Sequence, residues 1–148
     1  MFTKIIPILV TCFLSFPVFA NDWAVKAQNC TGLSNNCSNP PSTGPATEFI
    51  VISGSPNNPS NVPLTITPGT YGMFSGSVGG SDEGNPEVQS VLIVNNADHN
   101  DACTITFTAT TWSISTQGKM ICVNPSDNSS HYGMIIVTLG IKSSGQSK

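Results

Sequence analysis

The most constraining stretch of this chain is Cys103 to Ala109. Cys103, Ile105, Phe107 and Ala109 alternate there with Thr104, Thr106 and Thr108. A period of two sends the apolar residues to one side and the threonines to the other, which is the signature of a β-strand with one buried and one wet face. Trp112 and Ile114 continue the inward pattern, Gln117-Gly118 reads as a hairpin turn, and Lys119 to Val123 as the returning strand. No segment sustains a helical period.

Other strand candidates are Glu48–Ser53, Val62–Thr67, Thr70–Val78, Val88–Val94 and Tyr132–Ile141. Pro63 confines the second to a sheet edge or a strand's first residues. The glycines in the third suggest a bulge. Asn21–Gln28 reads as a short first strand or a loose arm. Glycine, proline and asparagine clusters separate these runs. About seven or eight short strands of this kind predict an all-β domain, a single antiparallel β-sandwich, with a small barrel as the alternative.

The first residues read differently. Lys4, an apolar run from Ile5 to Phe16, Pro17, and Val18-Phe19-Ala20 have the form of a cleaved secretory signal peptide. The apolar run is too short for a membrane helix, and no later stretch is long enough. Residues 1–20 are therefore expected to be removed, leaving an N-terminal arm and disulfide loop over 21–45, the sandwich over 46–142 and a polar tail over 143–148. The place of work is expected to be periplasmic or secreted, with no integral membrane anchor after cleavage. The short signal with its single lysine looks bacterial, so the sequons at Asn29, Asn36 and Asn128 are read as chance.

Cleavage takes Cys12 and Lys4 with it. Cys30, Cys37, Cys103 and Cys122 remain, an even set in an exported chain, so disulfides are expected. Three connectivities exist, and the local one, Cys30–Cys37 with Cys103–Cys122, is preferred. No pair has zinc-ligand spacing. Four lysines, no arginine and eight carboxylates leave a net charge of −4. That balance speaks against nucleic acid and anionic membrane surfaces, which reward clustered cations.

Candidate sites are few. Asp82, Glu83 and Glu87 lie in one glycine-rich loop, and Asp98, Asn100 and Asp101 in another. Either set could offer calcium its oxygen ligands, though turn chemistry explains both as well. No other cofactor is implied. Trp23, Tyr71, Trp112 and Tyr132 (with Phe74) could form an aromatic face for a sugar, or could be core. Asp127, Ser129, Ser130 and His131 crowd one loop, where a catalytic triad rarely converges. Glu48, Glu83 and Glu87 match no glycosidase pattern, and no nucleophile elbow or metalloprotease helix is present.

The expectation is a non-enzymatic module that binds a glycan, protein or host surface. One alternative is an assembly subunit using Val88–Val94 or Tyr132–Ile141 as an open edge. Another is a hydrolase drawing residues from separate loops.

Overall fold

The computed structural model describes residues 21–32, 37, 44–52, 60–79, 87–125 and 134–143. These form nine strands and no helix: β1 (Asn21–Asn29), β2 (Phe49–Ile52), β3 (Leu64–Ile66), β4 (Tyr71–Val78), β5 (Val88–Asn95), β6 (Ala102–Thr108), β7 (Trp112–Gln117), β8 (Met120–Val123) and β9 (Met134–Ile141). One sheet runs β4-β1-β9-β8 and the other β3-β2-β5-β6-β7. The two sheets pack face to face without closing into a barrel, so the architecture is the expected sandwich.

The N-terminal segment is not an arm. β1 lies inside the four-stranded sheet, antiparallel to β4 (Asn21↔Val78 through Gln28↔Tyr71) and parallel to β9 (Ala24↔Met134 through Asn29↔Leu139). The sandwich therefore begins at Asn21, not at residue 46. Trp23, Val25 and Ala27 point inward and are buried. Trp23 joins the two sheets: its ring stacks on Phe107 of β6 at 4.0 Å between centroids and meets Phe74 of β4 edge-on at 6.4 Å. Its Nε1 donates to Gln89 Oε1 on β5 at 3.1 Å. An indole buried this fully removes about 150–250 Å2 from water, worth about 4–6 kcal/mol.

The glycines of β4 follow from the same packing. The β1–β4 register is continuous, so there is no bulge. Gly76 faces Trp23, and a Cβ there would run into the Trp23 ring and Gln89 Oε1. At Gly72 a Cβ would lie 2.6 Å from Leu64 Cδ2 and 2.9 Å from Ile66 Cδ1. The missing side chains give room to large ones opposite.

Both disulfides have the local connectivity, with Cα separations of 5.9 Å for Cys30–Cys37 and 6.1 Å for Cys103–Cys122. The second ties β6 to β8, hence sheet to sheet, from two inward, buried positions. Disulfides of this kind belong to an oxidising compartment. No helix among the described residues is long and apolar enough to cross a membrane.

The expected β7–β8 hairpin is instead a sheet change: β7 pairs with β6 and β8 with β9. Gly118 sits at that corner with φ +65°, and a Cβ there would press on Asp101 and lie 2.7 Å from the Asn100 carbonyl. Asp101 Oδ1 accepts the Lys119 N–H at 2.6 Å, locking the corner to the β5–β6 turn. Such a tie turns the chain across the sandwich rather than back along it.

Asn29 closes a second corner at the same end of the sandwich. Fully buried, its Nδ2 donates to the Thr47 and Ile66 carbonyls at 2.7 and 2.9 Å. Its Oδ1 accepts from the Thr31 N–H at 3.1 Å and the Thr31 hydroxyl at 2.7 Å. One side chain thus satisfies backbone groups from the turn after β1, from β3 and from the approach to β2.

The assembly alternative does not find its open edge where it looked for one. β5 lies between β2 and β6, and β9 between β1 and β8, so neither apolar run is an edge. Both strands are flanked on both edges, but only one face of each meets the core: Val88 on β5, and Met134 and Ile136 on β9, are exposed on the other. Among the described residues the edges are β3 and β7 in one sheet, β4 and β8 in the other.

Candidate interaction surface

In the four-stranded sheet the inward positions are Trp23, Val25, Phe74, Val78, Met120, Cys122, Ile135, Val137 and Leu139, all buried. The opposite parity faces out. On most exposed sheet faces that parity is polar, and here it is not. Of the large apolar side chains most exposed among the described residues, Tyr71 (58%), Met73, Val123, Met134 (56%) and Ile136 stand on this one face. Val88, on the other sheet, is the exception.

The register draws these residues together. One row across the sheet reads Tyr71, Gln28, Thr138, Val123; the next reads Met73, Lys26, Ile136; the third reads Ser75, Ala24, Met134. Lys26 stands between Met73 and Ile136 and holds its ammonium over the Tyr71 ring, 4.3 Å from the centroid. Its methylene stem adds apolar surface while its head keeps one side of the patch charged. Grouped exposed apolar side chains with a polar rim mark surfaces that meet other molecules. On β6 and β7 the other sheet instead presents Thr104, Thr106, Ser113 and Ser115 outward, as the threonine alternation implies.

The aromatic candidates divide. Tyr71 is the ring exposed on the patch. Trp23 is core at 2% exposure and cannot stack on a ligand from where it lies. Trp112 is half-buried against the core from β7, and its Nε1 has no hydrogen-bond partner among the described residues. Tyr132 lies outside the described residues. The structure therefore assembles no aromatic shelf from Trp23, Tyr71 and Trp112.

The calcium candidates do not converge either. Asp98 Oδ1 accepts from the Asn100 N–H at 3.1 Å and from Asn100 Nδ2 at 3.0 Å, a side-chain-closed turn. Asp101 is buried, and its Oδ2 accepts from Asn95 Nδ2 at 3.2 Å while Oδ1 holds Lys119. No group of three His, Cys, Asp or Glu side chains among the described residues is placed to share an ion. Glu87 is exposed, while Asp82 and Glu83 lie outside the described residues. So do residues 1–20, the sequon asparagines Asn36 and Asn128, and Asp127, Ser129, Ser130 and His131.

At the end of the sandwich a shallow cavity of about 460 Å3 opens beside Glu48, Asn96, Asp98, Asp101, Lys119 and Lys142. Asn96 Nδ2 donates to Glu48 Oε1 at 2.7 Å across its wall, so these two side chains are engaged with each other. Sequence reasoning missed the outer face of the four-stranded sheet. Its signal was present: Met73 and Ile136 hold the parity opposite Phe74 and Val137, so both strands are apolar on both sides.

No protein-family model matches this chain, and no curated protein matches it. The class is therefore defined by architecture alone: a disulfide-stapled, two-sheet β-sandwich with one apolar outer face.

Proposed function

We propose that this is an exported, non-enzymatic binding protein that docks a protein partner on the outer face of its four-stranded sheet. Residues 1–20 act as the export signal, and the mature chain works in the periplasm or beyond it. The two disulfides and the charge-poor sequence support that placement. The observation that carries the binding reading is the gathering of Tyr71, Met73, Val123, Met134 and Ile136 on one sheet face.

The chemistry of the face favours protein over glycan. Sugar recognition pairs a flat ring with convergent hydrogen-bond donors and acceptors. Here Tyr71 is a single ring among methionine, isoleucine and valine, which bond no hydroxyls and which adapt to apolar protein surfaces. The patch also sits on a stapled sheet, so a partner need not wait for it to become ordered.

Site-specific photo-cross-linking in the exporting cell tests this. A photoreactive residue at position 73 or 136 is expected to capture one discrete protein, and one at Thr106 on the opposite sheet to capture none. Equal labelling from both faces, or no adduct from either, would reject the assignment. A glycan array probed with the mature protein is expected to stay silent.

A further inference from the structure

β7 is the outermost strand of the five-stranded sheet, paired through Phe107↔Trp112 to Ala102↔Gln117 on one side and with no strand on the other among the described residues. Open edges are normally blunted by charges, proline, glycine or a bulge. Trp112-Ser113-Ile114-Ser115-Thr116-Gln117 contains none of those residues, and its register is unbroken. Its inward side chains are also incompletely covered: Trp112 and Ile114 pack on the core yet remain half-exposed.

We propose that β7 pairs antiparallel with β7 of a second copy of this chain, joining two five-stranded sheets into one. The argument for a second copy is self-complementarity. A two-fold axis must set residues of equal parity opposite each other, because directly opposed side chains share a face. Centred on Ile114, that axis places Ile114 against its own counterpart, Ser113 against Ser115, and Trp112 against Thr116. The Ser113-Ile114-Ser115 triplet reads the same in both directions. The central pair covers the half-exposed apolar side, and the serine pairs hydrogen-bond on the wet side. No charge on the strand meets its own copy. An interface of one six-residue strand per copy is small against the roughly 1,200 Å2 of a stable complex, so the dimer is weak and forms at high local concentration. This contact is independent of the apolar face of the other sheet.

Sedimentation velocity of the mature chain from micromolar to millimolar concentration tests it, with amide exchange recorded in parallel. A monomer–dimer equilibrium is expected, with slower exchange over residues 113–117 as concentration rises. The double variant Ser113→Lys, Ser115→Lys sets like charges opposite each other twice, and should weaken the dimer at least about tenfold. Both side chains are exposed, so its melting temperature should match the parent's. A protein that stays monomeric through millimolar concentration overturns the proposal. So does a dimer that this variant leaves intact, or one that Met73→Lys with Ile136→Lys dissociates instead.

Discussion

Replacing Asn29 with alanine removes the buried amide that joins three parts of the fold. The Thr31 N–H loses its acceptor at 3.1 Å and the Ile66 carbonyl its amide donor at 2.9 Å. The Thr47 carbonyl is less affected, because the Thr31 hydroxyl already lies 3.0 Å from it. Two strongly perturbed buried groups at about 1–1.5 kcal/mol each, plus the small void left behind, come to about 3 kcal/mol. In a domain of this size that is a fall of about 10 °C in melting temperature. Urea unfolding followed by tryptophan fluorescence measures it, and the m-value should not change. Asn29→Asp should be at least as damaging, because a carboxylate cannot donate to the Thr47 and Ile66 carbonyls. A loss below about 1 kcal/mol for the alanine variant would refute the reasoning, since buried backbone groups left unpaired cannot cost so little.

Replacing Cys103 and Cys122 together with alanine frees a loop between positions 19 residues apart, and should cost about 3 kcal/mol; an equilibrium unfolding curve unchanged by the double variant would contradict an inter-sheet staple. Gly76→Ala should lower the melting temperature more than Ser75→Ala, its exposed-face neighbour, because only the former meets the Trp23 ring; equal effects would mean the close approach is unimportant. Asp101→Ala should cost about 2 kcal/mol, as the Lys119 and Asn95 donors lose their acceptor. Added calcium should leave that difference unchanged, and a calcium-dependent difference would restore an ion-binding role for this turn.

Much of the strand content was legible because one-sided burial writes a period of two into the sequence. Cys103–Phe107 is the clearest case, whereas Ala109, expected on the same inward face, lies past the end of β6 and is exposed. The sheet order was not legible. β1 pairs with β4 and β9, partners far away in the chain, and nothing local in Asn21–Gln28 announces that pairing. Trp23 is ambiguous for the same reason: a tryptophan near the start of a short first strand reads equally as ligand ring or core until Phe107 and Gln89 are brought to it. The corner at Gly118 looked like a hairpin because glycine in a short turn fits both outcomes. What decides is the Asp101 carboxylate arriving from another turn. Val88–Val94 and Tyr132–Ile141 are open edges only under the assembly alternative, and both lie inside their sheets as β5 and β9. On β9 the hydrophobicity divides between a buried inward row and the exposed Met134 and Ile136. The apolar outer face escaped notice because Tyr71, Met73, Met134 and Ile136 come from strands paired across β1, and only the register sets them side by side.

The most direct test of the binding claim is the affinity of the cross-linked partner, once purified, for the parent protein and for the Met73→Lys, Ile136→Lys variant. Met73 is 42% and Ile136 38% exposed, so docking would bury at most those fractions, about 1 kcal/mol apiece. Lysines on that face add a desolvation cost, and the loss should reach at least about 30-fold; the new lysines flank Lys26 across the register, so the melting temperature should fall slightly with the fold retained. Affinity within about twofold of the parent's, in a variant that folds normally, would contradict docking on this face.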